Sequence, residues 1–405
     1  MIGVTAVAAV ALQLVNVSSH EMQADGHSIH ADISGNGRLV VFDSLATNLS
    51  AARLQRPDDQ EVYLRDRRRG VTRLVSRSSR GRVSNGWSWQ PSLSPNGRFV
   101  AFCSTASNLS RPDRLPRVPH FGPGLDPRTD VFVRDLRRRI TRRASSDWRG
   151  GMANAGSCRP SVANTGDVAF ESEATDLVRG DRNGFIETFV YDWSSRRVRA
   201  AAVPTGGRRS AGSAGAAISP DGRFVAFYTG AHLASADTDA LSDVYLRDRR
   251  RGVTRVASPG AVGCYNPPVL ALTPRAGYVL HWCEDGLRVL DRRSGRVRNA
   301  SPTLDGRPPD RTISEAGVSA DGRTVVFCSE AYNLSRSDGL GDDVYVWHRA
   351  PGIPTVVSNA GSCVWSADVS ADGRTAVFTA DMPGLVAQDV RDVRQSDAFT
   401  AGPLR

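Results

Sequence analysis

One short phrase recurs along the chain and constrains the fold more than any other feature. It reads SPNGRFVAF at residues 94–102 and SPDGRFVAF at 219–227. Three variants and two decayed copies bring the total to seven: SGNGRLVVF at 34–42, ANTGDVAF at 163–170, TPRAGYVLHW at 273–282, SADGRTVVF at 319–327 and SADGRTAVF at 370–378. Six intervals separate Gly37 from Gly373, so the mean spacing is 56 residues. Internal repeats of this length indicate an array of similar structural units.

Each copy has the pattern of a β-hairpin, because an Asn-Gly or Asp-Gly pair separates two apolar or alternating runs. A third strand follows in a second recurring phrase, such as EVYLRD at 61–66 and DVYLRD at 243–248. A basic turn then leads to a fourth strand, such as TRLVS at 72–76. Four strands per repeat, with no helical periodicity, are typical of a β-propeller blade.

The two ends of the chain predict how the ring closes. The seventh repeat stops after its third strand, near residues 397–400, whereas QLVNVSS at 13–19 matches the fourth-strand phrase but precedes the first hairpin. Pairing of these segments completes the last blade and leaves no open sheet edge. We therefore expect an all-β, seven-bladed propeller with four antiparallel strands per blade, forming a single domain over residues 12–405. A six-bladed ring would require that one decayed copy be discarded.

The S-x-D-G-R-x-V-A-F hairpin and the D-V-Y-V-x-D strand resemble the repeat of the TolB-like propeller family. The resemblance covers nearly the whole chain and implies a propeller that serves as a periplasmic interaction platform. It is specific for fold and nearly silent on function, since propellers include binding proteins, enzymes and scaffolds. The copy at 273–282 lacks the Asp-Gly turn, so the face of the fifth blade should differ.

The six cysteines occupy only two positions of the repeat. Three end a second strand and three precede a first strand, and both places emerge on the same face of an antiparallel blade. Of the 15 ways to pair six cysteines, this geometry favours Cys103–Cys158, Cys264–Cys283 and Cys328–Cys363. The alternative is a set of buried free thiols. Disulfides would indicate an oxidising compartment.

The N-terminal segment gives a second indication of export. Residues 1–11 are apolar and end in Ala9-Val10-Ala11, an A-x-A cleavage pattern, although a positively charged start is missing. The segment resembles a truncated signal peptide, and the alternative is an apolar tail. No run approaches the roughly 18 apolar residues that span a bilayer. We expect an extracytoplasmic protein, either secreted, periplasmic or associated with the cell envelope.

Acidic loops follow several second strands and make calcium the candidate cofactor. Two of these loops place oxygen-bearing side chains at i, i+2 and i+6, namely Asp181, Asn183, Glu187 and Asp237, Asp239, Asp243. Such spacing can chelate a hard cation. However, neither loop has the EF-hand pattern, and Asp and Asn also stabilise turns through their own backbone. A structural turn is therefore the alternative.

Catalytic motifs are not found in the sequence. There is no G-x-S-x-G elbow, and HEMQA at 20–24 lacks the second histidine of H-E-x-x-H. A metal site formed by His20, His27 and His30 stays open, whereas His281 is expected to be packed and hydrogen-bonded. An enzyme would need carboxylates facing the central channel, and candidates just past second strands are Glu171, Glu173, Glu284 and Glu330.

The basic residues are all arginines, and they give the chain a formal charge of +10. They concentrate in the turns between third and fourth strands, at 65–69, 134–143, 196–199, 247–255 and 292–298. A guanidinium rim could hold an anionic envelope polymer or an acidic protein. Aspartates begin the same turns, so local ion pairing is the alternative. Interleaved aromatic platforms are lacking, which disfavours nucleic acid.

Aromatic residues before first strands are candidates for ligand binding at the channel: Trp87, Trp89, Tyr265 and Trp365. Packing in the inner wall is the alternative. Taken together, these features predict an exported, non-catalytic, monomeric propeller that binds a protein or an envelope polymer. The alternative is an enzyme, a lyase or glycoside hydrolase, with carboxylates in the central channel.

Overall fold

The computed structural model describes residues 11–55, 59–110, 125–181, 183–205, 212–238, 241–258, 264, 270–334, 343–358, 363–381, 385 and 396–404. Within these residues the chain forms 28 β-strands and one short 3₁₀ turn at Pro274–Ala276. None of the helical structure in this part of the chain is long and apolar enough to cross a membrane.

The strands form seven four-stranded antiparallel sheets. Blade one consists of β2 (Ser28–Ile33), β3 (Leu39–Ser44), β4 (Glu61–Asp66) and β5 (Val71–Leu74). Blade two consists of β6 (Ser88–Leu93), β7 (Phe99–Ser104), β8 (Asp130–Asp135) and β9 (Ile140–Arg143). Blade three consists of β10 (Ser157–Val162), β11 (Val168–Ser172), β12 (Glu187–Asp192) and β13 (Arg197–Ala200).

The remaining blades repeat this order. Blade four consists of β14 (Ala214–Ile218), β15 (Phe224–Thr229), β16 (Asp243–Asp248) and β17 (Val253–Val256). Blade five consists of β18 (Leu270–Leu272), β19 (Tyr278–Cys283), β20 (Gly286–Asp291) and β21 (Arg296–Asn299). Blade six consists of β22 (Ile313–Val318), β23 (Thr324–Ser329), β24 (Asp343–His348) and β25 (Pro354–Ser358).

Blade seven joins the two ends of the chain and closes the ring. It consists of β26 (Cys363–Val369), β27 (Ala376–Ala380) and β28 (Asp397–Gly402), completed by β1 (Ala11–Leu14). The register pairs Ala11 with Gly402 and Leu14 with Phe399. The predicted seven-bladed fold and its closure by the N-terminal strand are confirmed.

The repeated serine and glycine form the hairpin turn in five of the seven blades. In blade two, Ser94 Oγ donates to Asn96 Oδ1 at 2.8 Å and accepts from the Phe99 backbone N–H at 2.9 Å. Gly97 has a φ of 69°, a left-handed conformation that glycine adopts without steric cost. This local chemistry explains why the phrase is retained almost intact in most copies.

Hydrophobic residues form a core between every pair of neighbouring blades. Seven buried clusters lie at the seven interfaces, and the cluster between blades seven and one joins Val15, Ala31 and Phe42 to Val377 and Ala398. The ring is therefore held by interfaces of one kind all the way round. The first strands of the blades face the central channel.

Candidate functional site

The central channel contains a cavity of about 520 Å³. Its wall is formed by the first strands β2, β6, β10, β14, β18, β22 and β26. The pairing of most of these strands with their second strands shifts register near the middle, as at a β-bulge. Bulges redirect side chains next to functional sites, and here they lie beside the cavity-lining positions of six blades.

The upper ring of side chains lies four residues before the hairpin serine or its equivalent. In the described residues this position holds His30, Gln90, Arg159, Gly215, Glu315 and Ser366. Gln90, Arg159 and Gly215 have φ values of 47°, 52° and 72°. Two non-glycine residues in this conformation are uncommon and suggest a constraint from function. The upper ring brings two basic groups and one acidic group to the same cavity.

His30 is held by the buried carboxylate of Asp43. Its Nδ1 lies 2.8 Å from Asp43 Oδ2, and its backbone N–H donates to Asp43 Oδ1 at 2.8 Å. Burial lowers the pKa of His30, but attraction to Asp43, their hydrogen bond and nearby Glu315 outweigh it, so the pKa lies above its usual value. The imidazole is therefore fixed in orientation and favoured in its cationic form.

Glu315 and Arg159 approach the same space from blades six and three. Burial raises the pKa of Glu315 to about 7, although His30 and Arg159 both oppose the increase through their positive charge. Arg159 Nη1 donates to Glu171 Oε2 at 3.0 Å, and 45% of the Arg159 side chain remains exposed. An acid that titrates near neutrality beside two basic groups is the kind of arrangement found at functional sites.

A lower ring lies two residues further along each first strand. It holds Asp32, Ser92, Ser161, Ala217, Ala271, Gly317 and Asp368. Asp32 and Asp368 are hydrogen-bonded to each other through their side chains, which requires a proton between them. Burial raises the pKa of both groups, and the charge of Asp32 raises that of Asp368 further.

Backbone groups and a glycine position this carboxyl pair. The backbone N–H groups of Ile33 and Leu93 donate to Asp32 at 2.6 Å each. A Cβ at Gly317 would lie 2.0 Å from Asp368 Oδ1, so blade six needs glycine here to accommodate the pair. The opposite wall, on blades four and five, is small and apolar, with Ala216, Ala217, Leu270 and Ala271.

One repeat position behind the upper ring links several blades to their neighbours. Asp43 accepts from the Gln90 backbone N–H at 2.8 Å, and Glu171 accepts from the Gly215 backbone N–H at 2.6 Å. At the same position, Tyr228 Oη accepts from the Trp282 backbone N–H at 3.3 Å. Acids or a tyrosine therefore connect three neighbouring pairs of blades directly behind the cavity.

Cysteines occupy this same position in blades two, five and six, and in blades two and six they make the link to the next blade covalently. The structure contains three disulfides, Cys103–Cys158, Cys264–Cys283 and Cys328–Cys363, which are the pairs that the repeat positions favour. The first joins blades two and three and immediately precedes Arg159, and the third joins blades six and seven. Two of the disulfides thus hold first strands that line the cavity.

The two aromatic candidates whose side chains the structure describes, Trp87 and Trp89, are not among the cavity-lining residues. Trp87 precedes β6 and is 51% exposed, and Trp89 lies half-buried in β6. Neither lines the cavity, although Gln90 beside them does. Trp365 belongs to β26, where only its backbone is described, and Tyr265 lies outside the described residues. Ligand binding by these aromatics stays a prediction.

The four candidate carboxylates do not line the cavity described here. Glu171 lies within β11 and is buried, while Glu173 accepts from the Leu125 backbone N–H at 3.2 Å. Glu284 and Glu330 are exposed just after β19 and β23. The acids that do face the channel are Asp32, Glu315 and Asp368. These three acids were not predicted, because the candidate carboxylates were those that follow second strands. The signal in the sequence is their position before the hairpin serine, which is two residues for Asp32 and Asp368 and four for Glu315.

The acidic loops make hydrogen bonds with the protein itself. Asn183 Nδ2 donates to Glu187 Oε1 at 2.7 Å, so this amide presents its nitrogen, not its oxygen, to the carboxylate. In the second loop, Tyr245 donates to Asp237, and Ser258 Oγ donates to Asp243 Oδ1 at 2.5 Å.

Two calcium candidates remain, Asp181 and Asp239, and Asp239 lies outside the described residues. Asp181 Oδ1 lies 3.4 Å from the Asn183 backbone N–H, a contact within a turn. No group of three or more acidic, histidine or cysteine side chains suited to a metal ion occurs in the part of the chain that the structure describes. Calcium binding stays a prediction.

Local ion pairs account for part of the arginine rim. The hairpin arginine binds the aspartate that ends the third strand in blades one, two and four, as Arg38–Asp66, Arg98–Asp135 and Arg223–Asp248 at 2.6–2.7 Å. Many other arginines of the turns are exposed. An anionic partner for these remains a prediction.

His281 differs from expectation. It is fully buried in β19, as expected, but neither ring nitrogen has a hydrogen-bond partner within the described residues. Burial lowers the pKa of His281 to about 4, with a further contribution from Arg288. His281 is thus a packed, neutral residue; a contact with the Val279 backbone opposes the lowering of its pKa but does not reach hydrogen-bonding geometry.

Comparison with known proteins supports the fold alone. No family model and no curated protein sequence matches the chain. Among solved structures, an oligogalacturonate lyase in complex with manganese is 12% identical, with a TM-score of 0.53 over 98% of this chain and 97% of that one. The β-propeller domain of the Trilobed protease from Pyrococcus furiosus is 12% identical, with a TM-score of 0.54 over 93% and 94%.

TolB from Acinetobacter baumannii is also similar, at 16% identity and a TM-score of 0.37. That match covers 67% of this chain and spans 56% of the TolB chain. The two structures with TM-scores of 0.53 and 0.54 support the β-propeller fold and assign no activity.

Proposed function

We propose that the protein is an extracytoplasmic, non-catalytic propeller that binds an envelope polymer or a protein through its central channel. The observation that carries this proposal is the asymmetric cavity of about 520 Å³, with charged groups on one wall and small apolar groups on the other. Cavities with a few converging polar groups are the usual ligand sites of proteins. The volume of this cavity lies within the range of about 300–1,000 Å³ that is typical of ligand pockets.

The disulfides support an extracytoplasmic location. Three bridges, two of them behind the cavity wall, are expected to persist only where the environment is oxidising. The exposed part of the arginine rim provides a separate surface for an anionic polymer. Together, the rim would contact a long partner while the channel receives one of its ends.

Calorimetric titration with neutral and anionic envelope polysaccharides and with peptides tests this function. We expect saturable binding that weakens when Arg159→Ala and Glu315→Ala are combined, with folding checked by thermal denaturation. Glu330→Gln, an exposed acid outside the cavity, is the matched control. Binding that is unchanged by the double variant would contradict a channel site.

A second candidate function is an enzyme, because His30 and Glu315 form an acid and a base in one cavity. Glycoside hydrolysis needs two carboxyl groups about 5–9 Å apart, whereas Asp32 and Asp368 are in direct hydrogen-bonding contact. That pair does not fit a hydrolase. A lyase would instead need a cation for the substrate carboxylate, a base and an acid, which Arg159, Glu315 and His30 could supply.

Incubation with polyuronates tests this second function through the ultraviolet absorbance of unsaturated products. Product formation that is lost in His30→Ala and in Glu315→Gln would favour the enzyme. Binding of a polyuronate without product would favour the first function.

A further inference from the structure

The two rings of the channel present different charged groups at a defined separation. Arg159 and His30 belong to the upper ring, and the Asp32–Asp368 pair belongs to the lower ring. His30 and Asp32 lie two residues apart on β2, and successive strand residues rise by about 3.4 Å. Basic and acidic groups are therefore separated by about 7 Å along the channel.

The two ends of the site differ in what they can bind. Arg159 uses Nη1 for Glu171, and its guanidinium group carries five N–H donors in all. Donors remain for a carboxylate at the upper ring. The carboxyl pair, which holds one proton between two acids, has a net charge of −1 and oxygen acceptors only, apart from that proton. It suits a cation that can donate hydrogen bonds.

We propose that the channel binds a ligand segment bearing a carboxylate and, about 7 Å away, a primary ammonium group, as in a free lysine or another ω-amino acid. This inference rests on the proposed binding function and names the chemistry that the channel recognises. The carboxylate lies at Arg159 and His30, and the ammonium group reaches Asp32 and Asp368.

Chain length provides the selectivity. In extended lysine, six bonds of about 1.5 Å connect the carboxylate carbon to the ε-nitrogen, which matches the separation of the rings. In alanine, the ammonium and carboxylate groups share one carbon, so the molecule reaches only one ring. Glu315 adjoins the upper ring, where its protonated form can donate to the ligand carboxylate and its ionised form repels it.

Binding is coupled to the proton of the acid pair. An ammonium group placed between Asp32 and Asp368 replaces that proton, because a cation between two carboxylates favours both in their ionised forms. Each lysine bound through this pair should therefore release one proton. This release distinguishes occupation of the lower ring from adsorption to the charged surface.

Isothermal titration with lysine, 6-aminohexanoate, hexanoate, pentylamine and alanine tests the proposal. The affinity for lysine and for 6-aminohexanoate should be at least about tenfold higher than for hexanoate or pentylamine, because each of the latter two lacks one of the charged hydrogen-bonding groups. Alanine should bind no better than pentylamine. Titration in buffers that differ in ionisation enthalpy should show one released proton.

Two variants distinguish the contributions of the upper and lower rings to binding. Arg159→Gln should weaken the binding of lysine about tenfold or more and leave the binding of pentylamine unchanged. Asp368→Asn retains the shape of the pair. It should weaken the binding of lysine and of pentylamine, abolish the proton release and leave the binding of hexanoate unchanged. Glu330→Gln is the control, and thermal denaturation verifies that each variant is folded.

Equal affinity for lysine and alanine, or lysine binding that survives Asp368→Asn with its proton release intact, would overturn the proposal. If envelope polymers bind through the channel and the lysine series does not, this inference is wrong and the proposed function stands. If neither binds, the proposed function is wrong as well.

Discussion

Asn16 provides a sharp test of how the ring is held closed. It follows β1 and is fully buried at the junction of blades seven and one. Its Nδ2 donates to Asp397 Oδ1 at 2.5 Å and to Ser28 Oγ at 3.1 Å, and its Oδ1 accepts from the Ala398 backbone N–H at 3.2 Å. Asn16→Ala removes all three hydrogen bonds and leaves a buried carboxylate with fewer partners.

The expected cost follows from these contacts. Two neutral hydrogen bonds contribute about 1 kcal/mol each and the bond to Asp397 about 1.5–3, so Asn16→Ala should lower the free energy of unfolding by about 4 kcal/mol. An unfolding entropy of about 2.1 cal/mol/K per residue over 405 residues converts this to a fall in Tm of about 5 °C.

Differential scanning calorimetry measures the effect, with Asn154→Ala as the matched control. Asn154 also bonds through both ends of its amide, to Thr175 at 3.0 and 2.8 Å, but it is exposed. Water can replace those bonds, so its Tm should fall by about 1 °C or less. If Asn16→Ala destabilises no more than the control, the junction is not held by this side chain and the reasoning fails.

Three further predictions concern the disulfides, acid stability and calcium. Non-reducing mass mapping should find three disulfides. Replacing Cys103 and Cys158, which are 55 residues apart, with serine should lower the free energy of unfolding by about 4 kcal/mol according to the loop-entropy relation. Six free thiols would refute both statements. Because burial lowers the pKa of His281 to about 4, the unfolded chain takes up its proton first as pH falls below about 6.5, so stability should decrease by roughly 3 kcal/mol between these pH values. His281→Leu should flatten that part of the pH–stability curve, and an unchanged curve would assign the loss to other groups. If the acidic loops bind Ca²⁺, a chelator should lower the Tm; an unaltered Tm would remove calcium from consideration.

Much of the fold could be predicted because its signals are local. The Asn-Gly or Asp-Gly turn, the serine that binds it and the apolar runs lie within nine residues, and five of the seven copies repeat them. The pairing of β1 with β28 followed from counting strands at the two ends. The disulfide pairs followed from the same repeat logic, since each cysteine occupies a position whose neighbour in space is another repeat position.

The cavity could not be predicted in the same way, because its residues come from different blades. Glu315, His30 and Arg159 lie far apart in the sequence and meet only across the channel. Their electrostatic effect on one another depends on distance and burial, which no single repeat contains. Glu284 and Glu330, which were expected to face the channel because they follow second strands, are therefore exposed instead.

The amino-acid sequence by itself determined the number of blades, the four strands in each and the closure of the ring, since these depend on short-range patterns repeated seven times. Only the tertiary structure decided which variable positions of the repeat form a site. Ring closure brings the first strands together around one axis, so single substitutions such as Asp32 and Asp368, separated by almost the whole chain, become a proton-sharing pair. The chemistry of this protein thus arises from differences between its repeats, and the closed ring is what brings those differences into contact.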